Sequence, residues 1–241
     1  MAVDISVVIP VKDEVGNVAR LLAEVRAALT GRTFEVIFVD DGSSDGTQQA
    51  LLNERAAAPE LRLIQHSENC GQSSAIRTGV LGATGRLIIT LDGDGQNDPA
   101  DIPALIAKFE AGSNNPGLGL IMGQRKNRHE SQQKRLASKL ANKIRSAALG
   151  DKTRDVGCGL KLFTREAFLR LPYFHGMHRF IPALMLREGY DIDFVDVNDR
   201  PRGSGKSKYG VLDRALQATP DLLGVMWLKR RTRLPKARTE L

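Results

Sequence analysis

Short apolar runs alternate with helical stripes through the first half of the chain, and few architectures accept that rhythm. Ile5 to Pro10 is rich in β-branched residues; Val18, Leu21, Leu22, Val25 and Leu29 then recur at i, i+3, i+4, i+7 and i+11, the stripe of an amphipathic helix. The same reading predicts strands at Phe34 to Val39, Leu61 to Gln65, Arg86 to Leu91 and Leu118 to Met122. Helices are expected after Asp45, from Gln72 to Ala83 and from Ile102 to Ala111. These strands are apolar on both faces, as in a parallel sheet covered by helices. A short strand near Leu160, a helix around Pro182 to Arg187 and a strand at Ile192 to Val197 continue the pattern. The expected organisation is one α/β domain with a mostly parallel sheet over residues 1 to 210. An amphipathic, basic helical tail follows over 211 to 241, its helix running from Val211 to Leu228.

With 41% hydrophobic and 26% charged residues among 241, the composition excludes a disordered or collagen-like chain. Cys70 and Cys158 are too few for a disulfide framework and fit neither a zinc spacing nor a CxxC pair, so a reducing compartment is expected. The start, MAVDISVVIPVKDE, lacks the basic and apolar regions of a signal peptide. The apolar run Leu222 to Leu228 is far shorter than the roughly 18 residues of a spanning helix. A chain that is soluble or lies on a membrane is expected. Its charge is strongly divided: residues 1 to 122 carry a net −7 and residues 123 to 241 a net +14. The second half is therefore suited to an anionic partner.

In an open α/β sheet, ligands bind beyond the carboxyl ends of the strands. Asp13 and Glu14 follow the first strand, Asp40 and Asp41 the second, Asp92 and Asp94 the fourth. Six carboxylates on one rim repel unless a cation or hydrogen bonds compensate. Asp92-Gly93-Asp94-Gly95-Gln96 offers hard oxygen ligands suited to Mg²⁺ or Mn²⁺, on glycines expected to admit a bulky anion. Ser44 to Thr47 reads as a helix cap, whereas Asp40 and Asp41 are acceptors for ribose or base donors. The chain has neither GxxxxGK[ST] nor a GxGxxG opening a helix, so a diphosphate must be held by metal and basic side chains. Arg125 closes a strand on the acidic rim. Lys126, Arg128, Lys134, Arg135, Lys139, Lys143 and Arg145 form a basic cluster after it, and Arg202, Lys206 and Lys208 lie in a glycine-rich loop. His66, His129, His175 and His178 share no ligand spacing and read as structural or surface residues, His178 beside Arg179 being placed to touch an anion.

These residues resemble glycosyltransferase family 2, and within it the polyprenyl-phosphate branch. VVIPVKDE is similar to the opening VVIPxxNE, VDDGSSDGT to the second-strand motif and NCGQSSAIRTG to NxGxxxAxxxG. LDGDGQNDP is similar to DxDxQxxP, GQR to GxR, DVGCGLKLF to DxxSGFRxF and RPRGSGKSKYG to RxxGxSKYG. The resemblance spans Ile5 to Gly210. It implies a GT-A (Rossmann-like) fold, a nucleotide sugar donor, Mg²⁺ or Mn²⁺, and inverting transfer onto a lipid phosphate. Pro10, Lys12, Glu14, Val39 and Asp41 would line the nucleotide. Asp92, Gly93, Asp94 and Gln96 would hold the diphosphate, with Asp92, Asp94 and Gln96 on the metal. Arg202 and Lys208 would clamp the phosphates, Arg125, Arg135 and Lys139 would meet the acceptor phosphate, and Asp94 and Arg125 would be the catalytic pair.

Lys12 stands where relatives have an aromatic residue, Cys158 where they have Ser, Lys161 where they have Arg, and Asp199 where histidine is common. The resemblance further implies a cytoplasmic protein peripheral on the inner face of the plasma membrane, serving envelope glycan modification. A saccharide acceptor is the alternative within the family. A nucleic-acid-binding module would interleave aromatics with its basic residues, and Gly123 to Arg145 contains none. A nucleotidyltransferase would carry a glycine- and arginine-rich loop where this chain has VKDEVGN, and an inactive homologue would not keep the paired aspartates.

Overall fold

A computed structural model describes residues 3–126, 145–201 and 211–233, except for the side chains of 211–218. The chain runs β1 (Ile5–Val11), α1 (Val18–Ala28), β2 (Phe34–Asp40), α2 (Thr47–Arg55), β3 (Leu61–Gln65), α3 (Gln72–Gly82), β4 (Leu87–Thr90) and α4 (Ile102–Ala111). It continues through β5 (Leu118–Arg125), β6 (Lys161–Thr164), α5 (Arg165–Leu169), α6 (Ile181–Arg187), β7 (Asp191–Val197) and α7 (Val211–Arg231). The strands form one seven-stranded sheet in the order β3-β2-β1-β4-β6-β5-β7. Only β6 runs against its neighbours β4 and β5; the other pairings are parallel. Every strand expected from the apolar runs is present. The short helix α5 was not expected, although its signal is local: Thr164 caps it, its hydroxyl accepting from Ala167 N at 3.2 Å.

Ile5, Val7, Val8, Ile9, Val36, Ile37, Phe38 and Val39 are fully buried, as strands sandwiched between helices must be. Helix α3 sits close on β1 and β2 because Gly79 has no side chain; a Cβ there would lie 2.3 Å from Val8 Cγ1. The two ends of the sheet differ in chemistry. At the amino-terminal end, Glu35 accepts from Ser6 Oγ at 2.6 Å and from Thr84 N and Oγ1, both at 2.7 Å, and it pairs with Arg62. One carboxylate thereby ties β1, β2, β3 and the turn into β4. Helix α7 docks through Val225, with Leu222 and Met226 against the core, and Lys229 donates to the carbonyl of Leu149. No helix among the described residues is long and apolar enough to cross a membrane.

Candidate active site

At the carboxyl-terminal end, β1, β2 and β4 deliver their acidic turns to one rim, because parallel strands end together. Asp92 follows β4. Its Oδ1 accepts from Gln72 Nε2 at 2.7 Å, from the first turn of α3, and its backbone N–H donates to Asn97 Oδ1 at 3.0 Å. Gly159 packs directly beneath it: a Cβ there would sit 2.4 Å from the carboxyl carbon, so only glycine leaves room. Burial, then the negative charge of Asp94, pushes the Asp92 carboxyl up to about 6, against the pull of Lys161 and Arg125. Lys161 is 5% exposed and donates to the carbonyl of Cys158; burial lowers its pKa. Asp94 accepts from Gln96 N at 3.1 Å, which curls the turn. An all-oxygen donor set, raised in energy by its own crowding and seated on a glycine, fits a hard divalent ion at Asp92, Asp94 and Gln96.

At Gly93 a Cβ would lie 2.8 Å from the carbonyl of Pro10 and 2.7 Å from Val11 Cγ1, so the position also needs glycine for its close approach to β1. Val39 is corrected: it has no exposed surface and packs in the core beneath α3, so its side chain lines no nucleotide pocket. Pro10 is half-buried at the end of β1, and Lys12 reaches across to the carbonyl of Gly42 at 2.7 Å. Glu14 holds Asn17 Nδ2 at 2.6 Å, before α1. Asp13 accepts from Ser44 N at 2.8 Å, and Asp45 accepts from Thr47 N at 3.0 Å just ahead of α2, whose N-cap is Gly46 with no side-chain cap, not the Ser44 or Asp45 expected.

The pair Asp40-Asp41 divides its work. Asp41 is spent inside the protein: its carboxylate meets His66 Nδ1 at 2.8 Å and accepts from Cys70 N at 2.9 Å and Gly71 N at 2.8 Å, fixing the start of α3. Asp40 is fully buried and accepts from Ser43 N at 2.9 Å, while its Oδ2 has no hydrogen-bond partner. An orphaned buried acceptor costs stability.

Arg125 is not a free cation on the rim. Its Nε and Nη2 grip Asp155 at 2.6 and 3.0 Å, and Nη1 reaches Asp199 at 3.4 Å. Burial weakens the charged form, but the bonds and charge of Asp155 outweigh that and raise its pKa further. Neither partner was anticipated, since they lie 30 and 74 residues away. Arg145, expected in a solvated or anion-seeking cluster, instead forms a buried bidentate pair with Asp151 at 2.6 and 3.0 Å. His178 takes the structural role expected of it and not the anion contact: burial and the nearby Arg179 and Lys161 lower its pKa to about 3, leaving a neutral ring bonded to Ser73 Oγ at 2.7 Å. Arg200 roots the loop after β7, donating to Glu24 at 2.9 Å and to Asp98, with its N–H on the Gln96 carbonyl at 3.0 Å. Arg128, His129, Lys134, Arg135, Lys139, Lys143, Arg202, Lys206 and Lys208 lie outside the described residues.

A model of glycosyl transferase family 2 matches residues 6–171, more than half of the chain. The chain belongs to glycosyltransferase family 2. Among curated members of this family, a dodecaprenyl-phosphate galacturonate synthase of Rhizobium johnstonii is 35% identical over 238 residues, covering 95% of the chain and 68% of that protein. An undecaprenyl-phosphate 4-deoxy-4-formamido-L-arabinose transferase of Shewanella sediminis is 34% identical over 213 residues, covering 87% of the chain and 62% of that protein. The chain thus spans roughly two thirds of the length of these curated glycosyltransferases. The fold matches glucosyl-3-phosphoglycerate synthase of Mycobacterium tuberculosis with a TM-score of 0.69 at 18% identity, over 97% of the chain and 81% of that structure. That enzyme was crystallised with Mn²⁺ and UDP, and also with Mg²⁺ and UDP. The GT-A architecture read from the sequence is therefore present.

Proposed function

We propose that this glycosyltransferase moves a sugar from a nucleotide sugar, GDP-mannose or a UDP-linked hexose or uronic acid, onto a polyprenyl phosphate with inversion, for envelope glycan modification. The reading is carried by the 35% identity, across nearly the whole chain, with a dodecaprenyl-phosphate galacturonate synthase. The chemistry of the rim agrees with it. A phosphate monoester has a second pKa near 6 and is largely dianionic at pH 7, so the acceptor needs no general base. What it needs is cations at both anions. A divalent ion held by Asp92, Asp94 and Gln96 would act as Lewis acid toward the departing diphosphate.

The chain's own residues do the rest. Gln72 and Gly159 fix the Asp92 carboxylate, and Lys161 balances it from below. Asp155 and Asp199 fix the orientation of the Arg125 guanidinium at the carboxyl end of β5, and Arg125 meets the acceptor with the face those acids leave open. Arg135 and Lys139 are assigned to the acceptor phosphate, Arg202 and Lys208 to the donor phosphates.

The basic half of the chain also suits the cytoplasmic face of an anionic bilayer, where each Lys or Arg near the surface contributes about 1 kcal/mol. Helix α7 presents Leu223 and Trp227, each 61% exposed, one turn apart and followed by Arg230 and Arg231 on the same side. Flotation with anionic vesicles is expected to be weakened severalfold by Trp227→Ala; unchanged flotation would remove α7 from the membrane. Activity is tested by incubating the protein with Mg²⁺ or Mn²⁺, a polyprenyl phosphate and a panel of GDP- and UDP-sugars, with glycolipid read by mass spectrometry. Product that forms with a saccharide acceptor and never with the lipid would overturn the acceptor assignment.

A further inference from the structure

Gln72 is exposed, yet its amide holds Asp92 Oδ1 at 2.7 Å. A long side chain in solvent keeps one partner only if its backbone is fixed, because each free rotation lets it trade the carboxylate for water. The fixing comes from the loop between α5 and α6. On one side of Gln72, the ring of His175 lies over Gly71, where a Cβ would be 2.7 Å from His175 Cε1. On the other side is Ser73, 2% exposed, whose hydroxyl accepts from the backbone N–H of His178 at 3.2 Å and meets His178 Nδ1 at 2.7 Å. Two histidines of one loop thus close on the two neighbours of Gln72. The contact between Ser73 and His178 runs both ways. A backbone N–H can only donate, so Oγ accepts it; the one hydrogen of the hydroxyl goes to Nδ1, and the ring carries its own hydrogen on Nε2. Burial, with Arg179, Lys161 and His175 nearby, lowers the pKa of the ring to about 3, so Nδ1 stays an acceptor at neutral pH. The loop is stiff enough to be the fixed side of this contact. Met177 and Phe180 bracket His178, each is 2% exposed and packed in the core, and the Phe180 ring lies 6.0 Å from that of Phe174.

We propose that His178, acting through Ser73, is a positioning residue for glycosyl transfer: it clamps the first turn of α3 so that Gln72 keeps the Asp92 carboxylate set for the divalent ion. The inference rests on the assignment of that ion to Asp92 and Asp94, and it does not require His178 to touch donor or acceptor. A carboxylate held by a fixed donor is oriented before the ion arrives, and losing that support lowers the affinity for the ion.

The test measures Mn²⁺ affinity on the full-length protein without nucleotide sugar, from the loss of the free-ion electron paramagnetic resonance signal. Gln72→Ala changes an exposed side chain, so it should keep the wild-type unfolding midpoint. It should weaken Mn²⁺ binding about tenfold, the smallest usual cost of losing a ligand's support. His178→Phe keeps an aromatic ring but offers Ser73 no acceptor, and it should weaken binding by a similar factor; Ser73→Ala removes the same bond from the other side and should match it. His178→Asn puts an amide oxygen in the place of Nδ1 and should restore most of the affinity. The decisive measurement is the double variant Gln72→Ala/His178→Phe, which should bind no more weakly than Gln72→Ala alone, because the clamp then has nothing to position. Losses that multiply in the double variant, or an affinity that neither His178→Phe nor Ser73→Ala changes, overturn the clamp. Asp92→Asn separates the two failures. Mn²⁺ binding that survives it overturns the ion's assignment to Asp92 and the clamp with it, whereas binding that needs Asp92 but ignores His178 and Ser73 overturns the clamp alone.

Discussion

Two carboxylates at opposite ends of the same sheet have been pushed in opposite directions. Glu35, at the amino-terminal end, is 4% exposed; burial pushes its pKa up, but bonds from Ser6, Arg62 and Thr84 outweigh it and bring the group to about 2. Asp92, at the carboxyl-terminal end, is pushed up by burial and by Asp94 beside it, and rises to about 6. In both, burial is the largest influence and disfavours the charge; at Glu35 hydrogen-bond donors overcome it, and at Asp92 a neighbouring like charge adds to it. One end of the sheet spends its acid on holding strands together. The other keeps acids under mutual repulsion that a cation relieves, which is how a binding site stores affinity at the expense of the free protein's stability.

The sharpest way to break the contrast is Asp92→Asn, which keeps the acceptor for Gln72 and removes the charge. Turnover is expected to fall roughly 10²–10³-fold, the cost of one preorganised electrostatic contact. The unfolding midpoint in metal-free buffer should stay or rise, because a like-charge contact is gone. A fall in stability comparable to the loss in activity would show that Asp92 is structural like Glu35.

Glu35→Gln should do the reverse. It sets an amide against the Arg62 donor and costs about 2–3 kcal/mol in urea unfolding, with kcat per folded molecule unchanged. The pH dependence has a definite sign. A carboxyl whose folded pKa lies below its unfolded one contributes fully above pH 4.5 and loses that contribution as the pH falls toward 2, so the gap between wild type and variant should narrow across that window. A gap that stays constant from pH 6 to pH 3 would mean that the carboxylate charge adds nothing.

Gly159→Ala is the mildest of the three. Its methyl displaces the Asp92 carboxyl, and a loss of about tenfold in kcat/KM, with a higher Mn²⁺ requirement, is expected in a metal titration of activity. An unaltered Mn²⁺ requirement would place the ion away from Asp92.

The sheet was legible because its strands are apolar on both faces and their helices carry a clear stripe. The direction of β6 was not, since Lys-Leu-Phe-Thr reads alike whichever way it is laid, and its antiparallel course is set by what β5 leaves for it to pair with. Asp92, Asp94 and Asp41 were visible as acids at strand ends, a local property. Their partners were not: Gln72 for Asp92, His66 for Asp41, and Asp155 and Asp199 for Arg125 are set by the packing of distant segments. The role that the family resemblance implies for Val39 fails for its side chain, which is consumed by contact with α3, a packing that the sequence alone does not reveal.

The first turn of α3 carries a consequence of its own. Cys70 N and Gly71 N hold Asp41, Gln72 holds Asp92, and Ser73 holds His178, so four successive residues fasten three separate parts of the rim. The helix behind them is pinned to β1 at Gly79. Any shift at Asp41 is therefore transmitted through a rigid lever to Asp92, and the two must be redesigned as one.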